Sequence, residues 1–373
     1  MNRIFNKYLF ILCITLILCL FGCNDDGVTN PTDNQKIEQE IDRLCDSIIS
    51  NTQLPGMIVG VWDKTRNLAY VKGHGYANIT TKIPMNPEMY FRIGSNTKSF
   101  VITVILQLVD EKKISLYDKL SKYFPDFPRA DEVTIRMLCD MTSGIYNYTE
   151  TPEFENILEN DPLHKWTPQE MMDLAAKHDY YFTPGTDAHY SNTNTAILGA
   201  IAEDITGISL DQLLKTRLMD RYGMTKTLLA MDNKMPDGPI VSGYANYTDT
   251  SKYTDDVTTL FDVSWAWAAG AMISNVYDVR TWVEKLIDGG MISDSLQQQR
   301  FIGKTLGNGL VTYGLGIYNY TANDMWGHNG GLPGYTSVMM RDKSKDRTII
   351  VFYNVQGHPS PEPLFMLIEN LLR

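Results

Sequence analysis

"FRIGSNTKSFVI" (91–102) places a serine three positions before a lysine. There a polar turn gives way to apolar residues at 100, 101, 104, 105, 108 and 109. That spacing predicts a helix beginning just after the turn, with Ser95 at or near its first turn and Lys98 on the same face. A serine hydroxyl is a poor nucleophile until a neighbouring base takes its proton. A lysine can act as that base only when uncharged, and burial or a second cation favours the uncharged form. The positive end of the helix would also stabilise negative charge developing on a bound carbonyl oxygen. Alone, the pair equally fits an N-cap serine and a solvated lysine.

Outward from this stretch the chain is organised symmetrically. Ile37, Ile41, Leu44 and Ile48 form one apolar stripe of a helix, which Pro55-Gly56 ends. "MIVGVW" (57–62) and "LAYVKG" (68–73) flank "DKTRN" as a hairpin. Near the other terminus, "YTSVMMR" (335–341) and "RTIIVFYNV" (347–355) flank "DKSKD" as a second hairpin. A last helix from about Glu362 carries Leu364, Leu367, Ile368, Leu371 and Leu372 on one side. Strands at both ends with helical stretches between them predict an α/β (α+β) fold. Its antiparallel sheet, of five or more strands, is flanked by the terminal helices, and a mainly helical lobe is inserted. The sheet lobe is placed at about 36–93 and 306–373, and the helical lobe at about 94–305. Residues 229–262 lack periodicity and read as a long surface loop system beside the site.

Two further stretches bear on the serine. In "YFTPGTDAHYSNTNTAILGAIAEDITG" (181–207), Tyr190 and Asn192 stand just before a helix carrying Ile197, Leu198, Ile201 and Ile205. The Tyr190 oxygen can serve a serine–lysine pair, and the Asn192 amide can accept from Lys98 while donating to a substrate carbonyl. "WGHNGGLPGYTSVMM" (326–340) is glycine-rich and runs into an apolar strand. Close approach of a substrate backbone is possible there, and a strand N–H could join that of Ser95 in an oxyanion hole.

Ser-x-x-Lys, Tyr-x-Asn and His-x-Gly in this order resemble the serine β-lactamase and penicillin-binding protein superfamily, in its class C β-lactamase and DD-peptidase branch. "IRMLCDMTSGI" (135–145), "AGAMISNVYDV" (269–279) and "YGLGIY" (313–318) are similar to family signatures. The resemblance implies an acylated Ser95, general-base work shared by Lys98 and Tyr190, and an orienting Asn192. It also implies His328 where many relatives have lysine, and Gly330 and Gly331 at the oxyanion and substrate strand. No cofactor is implied, and no metal-ligand spacing is present.

Besides His328 in place of a fixed cation, the chain departs from the pattern in two further respects. Asn329 and Gly331 carry no hydroxyl, and residues 314–327 contain neither arginine nor lysine. An anchor for a substrate carboxylate is therefore missing unless Arg341 supplies it. This weakens penicillin and DD-carboxypeptide substrates and favours a neutral ester or amide, as in the family's esterases; the expected enzyme is D-alanyl-D-alanine carboxypeptidase-like or esterase-like. A class C-type β-lactamase and a catalytically silent penicillin-binding sensor are the alternatives.

The amino terminus reads separately. Arg3 and Lys7 precede fourteen mostly apolar residues from Tyr8 to Phe21, too few to span a bilayer, so 1–22 read as a lipoprotein signal peptide. "LFGC" resembles a lipobox with Cys23 as the lipidated residue, and 23–35 read as a tether to a hydrolase domain at 36–373. A bacterial cell-envelope location, in the periplasm or at the outer surface, is expected. Removing Arg3 and Lys7 leaves 31 basic against 44 acidic side chains, a net charge near −13, which disfavours nucleic acid as a partner. Small-molecule or peptide substrates are expected, possibly peptidoglycan peptides, acted on by a monomer. Cys45 and Cys139 read as free, buried thiols.

Overall fold

Alternate residues of the Gly56–Asp63 strand, β1, enter two different cores. Met57, Val59 and Val61 face one, while Ile58 and Trp62 face the other. A strand covered on both sides reads as a continuous apolar run, as "MIVGVW" does. The computed structural model describes residues 31–373 apart from 249, 308 and 321–323. The signal peptide and Cys23 lie outside the described residues.

β1 pairs with β2 (Leu68–Asn78), which is edged by the short β3 (Ile83–Pro84). The chain returns to the sheet as β4 (Lys304–Leu306), β5 (Val311–Tyr313), β6 (Tyr318–Tyr320), β7 (Trp326–Leu332), β8 (Tyr335–Asp342) and β9 (Arg347–Tyr353). The antiparallel order is β3-β2-β1-β9-β8-β7-β6-β5-β4, nine strands among the described residues. Chain ends therefore meet at the centre, where Val59 faces Val351 and Val61 faces Ile349. A buried ion pair fixes this junction, with Arg347 Nε donating to Asp63 Oδ2 at 2.7 Å and Nη2 to the Leu372 carbonyl at 2.6 Å.

Both predicted hairpins form, and the amino-terminal one runs five residues longer than its apolar core. Helix α1 (Pro31–Thr52) begins inside the stretch assigned to the tether. Proline is tolerated in a first turn, and Asp33 suits the positive end of a helix. The carboxy-terminal helix (Glu362–Leu371) buries Leu364, Phe365 and Ile368, with Leu372 just beyond it. Leu367 lies off that stripe and is 47% exposed. Among the described residues, 229–262 hold only two-residue strands such as Tyr244–Ala245 and Asp255–Asp256, yet they are more than a surface loop. Val241, Tyr244 and Val257 are buried, and Tyr335 Oη donates to the Val241 carbonyl at 2.8 Å. Cys45 and Cys139 are buried and unpaired, and they belong to different cores.

Two features of the inserted lobe position the site. Helix α2 (Thr97–Asp110) is buried from Thr97 to Leu108, and Phe100 stacks on Trp282 with ring centroids 3.7 Å apart. A small sheet places Met272–Ser274 between Phe91–Arg92 and Leu228–Leu229. The segment leading to Ser95 thereby lies against the one that follows Ala269.

Candidate active site

Ser95 occupies a 3₁₀ turn, Gly94–Asn96, that feeds directly into α2. Gly94 has φ +56°, and a Cβ there would lie 2.5 Å from the Gly331 nitrogen. Glycine thus permits both the left-handed conformation and the approach of β7. The turn is fastened from several sides. Asn96 Nδ2 donates to the Ile93 carbonyl at 2.6 Å and to Ser337 Oγ at 2.7 Å, while Thr97 Oγ1 donates to the Gly94 carbonyl at 2.7 Å.

Lys98 points back beneath the turn, fully buried, with Nζ 3.0 Å from Ser95 Oγ. It lies 2.7 Å from both Asn192 Oδ1 and the Ala269 carbonyl. Neither of those oxygens donates, so the two N–H bonds of a neutral amine satisfy them and its lone pair faces the Ser95 hydroxyl. Burial pushes the Lys98 pKa well below the usual lysine range, and none of these three partners is a carboxylate that would oppose it. Tyr190 lies close enough to Ser95 for the serine to lower its phenol pKa, and its ring centroid lies 4.8 Å from Lys98 Nζ. Burial raises the phenol, and the Ser95 contact opposes that rise. The serine hydroxyl therefore sits between an amine and a phenol contributed by distant segments.

Asn192 opens the Asn192–Thr206 helix, and its backbone N–H donates to Asn147 Oδ1 at 3.1 Å. Its Nδ2 donates to Thr149 Oγ1 at 3.1 Å, so one of its two amide protons is already engaged and only the other is free for a substrate. The strand glycines divide the work expected of them. Gly330 packs under the turn, where a Cβ would lie 2.0 Å from the Ile93 carbonyl, while Gly331 lines the cleft with Ser95. His328 stands behind Tyr190, fully buried, with ring centroids 6.4 Å apart, and does not line the cleft. Burial chiefly, and Lys98 to a lesser degree, holds its pKa down at about 3 against a hydrogen bond to the Asn329 backbone carbonyl that raises it. The ring is neutral at working pH. Arg341 is committed elsewhere, to Asp288 at 2.6 Å and Asp346 at 2.7 Å, so it provides no carboxylate anchor.

The cleft over Ser95 holds about 180 Å³. Phe154, Leu158, Trp265, Leu332 and Pro333 give it apolar walls, and Thr149, Asn192 and Gln356 add polar ones. No charged side chain lines it among the described residues. The hydroxyl of Tyr148, which precedes Thr149, donates to the Trp265 carbonyl and so ties the segment carrying one wall residue to another. A larger hollow of about 340 Å³ beside Gln107 and Arg217 contains none of the three motifs.

The Beta-lactamase family model matches residues 35–372. The chain belongs to the Beta-lactamase family. This family member is 27% identical over 288 residues to PbpX of Bacillus subtilis (strain 168), which carries a provisional penicillin-binding name. The match covers 77% of this chain and 68% of PbpX. The chain spans about two thirds of the length of the curated relatives it matches. Among solved structures it resembles a D-stereospecific amidohydrolase from Streptomyces sp., with TM-score 0.78 and 25% identity over 90% of this chain and 98% of that one. It also resembles the D-amino acid amidase of Ochrobactrum anthropi SV3 complexed with L-phenylalanine amide, with TM-score 0.78 and 26% identity over 91% and 97%. This Beta-lactamase family chain is a serine hydrolase.

Reading the motifs did not single out Ala269, whose carbonyl accepts from Lys98, nor the cleft residues Thr149, Trp265 and Gln356. Ala269 lies in "AGAMISNVYDV", where the signal was a signature without a role attached. Thr149 and Gln356 carry no sequence signal, because folding alone brings them to Ser95.

Proposed function

We propose that the protein hydrolyses esters or amides whose scissile carbonyl carries an uncharged, largely apolar group, through an acyl-Ser95 intermediate. One observation carries this reading: Ser95 Oγ lies 3.0 Å from a buried Lys98 amine, in a cleft lined by no charged side chain among the described residues. Ser95 Oγ attacks the carbonyl carbon, and its proton passes to the Lys98–Tyr190 pair. The N–H groups of Ser95 and Gly331 hold the oxyanion, and the proton then leaves with the alcohol or amine. Water reverses the sequence, giving the acid and free Ser95. The likeness to a D-stereospecific amidohydrolase and a D-amino acid amidase supports amides beside esters. The uncharged cleft weighs against a penicillin or a peptide ending in a free carboxylate, since burying an unpaired carboxylate is costly.

The test compares p-nitrophenyl butyrate, N-acetyl-D-phenylalanine amide, an N-acylated D-Ala-D-Ala peptide and a fluorescent penicillin. Turnover of the ester or the amide is expected at least tenfold above the carboxylate-bearing peptide, with slow penicillin labelling. Rapid stoichiometric labelling, or preference for the peptide, overturns the reading. The expected lipid on Cys23 and the envelope location are part of the same proposal, supported by the sequence from Arg3 to Cys23.

A further inference from the structure

His328 stands where the third motif leads, yet both of its ring nitrogens are already engaged. Nδ1 lies 2.6 Å from the carbonyl of Asn329, an oxygen that cannot donate, so Nδ1 carries the proton. Nε2 lies 3.0 Å from the hydroxyl of Tyr313, which is fully buried. A buried phenol has to place its proton somewhere, and Nε2 is the only hydrogen-bond partner of this hydroxyl among the described residues. Tyr313 therefore donates and Nε2 accepts. A charged ring would leave the Tyr313 proton without an acceptor. The same phenol ring packs edge-on against Tyr190, with centroids 6.0 Å apart, and against His328 at 5.6 Å. Tyr318 closes the other side of the imidazole at 5.4 Å. The titratable groups around this ring are thus Tyr190, Tyr313, Tyr318 and, beyond Tyr190, Lys98.

We propose that Tyr313 is a positioning residue for the reaction: together with the Asn329 carbonyl, its hydroxyl fixes the neutral His328 ring in place, and so sets the wall that holds Tyr190 beside Ser95. The proposal rests on the acyl-Ser95 reading for its kinetic consequence, but not for the placement of the ring. A ring with both nitrogens occupied offers Tyr190 no competing hydrogen bond and adds no second charge near Lys98. The phenol oxygen of Tyr190 is left to Ser95.

Tyr313→Phe removes one oxygen and keeps the ring contacts with Tyr190 and His328. Losing a single orienting hydrogen bond predicts a fall in kcat of about tenfold with KM changed less than about twofold. In a His328→Ala background the same substitution should change kcat by less than about twofold, because the residue it acts through is gone. Nitrogen-15 spectra of the full chain with labelled histidine should show His328 as Nδ1–H in the wild type, with the Nε2 resonance moving toward that of an unbonded imidazole nitrogen in Tyr313→Phe. An unchanged His328 spectrum in that variant overturns the proposal, as do equal losses in the two backgrounds. If His328→Ala does not fold, the spectra of Tyr313→Phe still decide it. A wild type with no ester or amide turnover would defeat the functional reading, while the spectra would still judge the hold on the ring.

Discussion

Ser95, Lys98 and Tyr190 divide one proton among three groups, and burial sets which of them can take it. The Lys98 amine has two carbonyl-type acceptors and no carboxylate among its close partners, so its uncharged form is favoured well below the ordinary lysine pKa. Its action as a base requires that form. As pH falls through the depressed pKa the amine charges, and kcat/KM should drop about tenfold per pH unit. His328, held down at about 3, should add no second inflection near neutrality. A pH–rate profile with an activated ester should thus show one acid limb. A profile with no acid limb at any pH where the enzyme stays folded contradicts the role of Lys98, and a two-proton limb contradicts the neutral His328. The motif pair was legible in the sequence because spacing of three along a helix fixes a shared face. The engagement of His328 by Tyr313 was not legible, because it depends on how β5 and β7 lie across β6.

The turn that feeds α2 packs against strand β7 through three glycines, Gly94, Gly330 and Gly331. Gly94→Ala would force an L side chain into φ +56° and against the backbone of Gly330 and Gly331. We expect a loss of about 1–3 kcal/mol in urea unfolding. If Gly331 retreats from Ser95, ester turnover should fall about 10²–10³-fold. Gly207 is a matched control with φ +65° and open space around it, at the end of the Asn192–Thr206 helix. Gly207→Ala should cost about 1–2 kcal/mol and leave kcat unchanged. Equal catalytic effects at both glycines would show that the close approach at Gly94 does not matter. Long elements were readable from periodicity: both terminal hairpins, α1, α2 and the last helix form where the pattern puts them. The three-residue strands β4, β5 and β6 were not, since so few residues carry no period. Tyr244 and Val257 escaped notice because an aperiodic segment can still be stitched into a core by backbone hydrogen bonds, such as Tyr244 N–H to the Asn354 carbonyl at 3.0 Å.

A sheet assembled from both chain ends, with the catalytic lobe inserted between them, makes the nucleophile's environment depend on nearly the full length of the chain. Ser95, Ala269 and Gly331 come from three segments that only this topology brings together. The proposed lipid on Cys23 would place this unit at a membrane by way of the residues preceding α1. Expressed in a bacterium that processes lipoproteins, the wild type should fractionate with membranes and Cys23→Ser with the soluble proteins. Identical fractionation of the two would remove the anchor from the account. The acyl intermediate itself is open to direct observation by quenching the enzyme with an activated ester in excess and weighing the intact protein. One acyl group should be added per chain, mapping to the peptide that contains Ser95 and disappearing in Ser95→Ala, which should stay folded with no turnover. An adduct on another residue, or undiminished hydrolysis by Ser95→Ala, would contradict it.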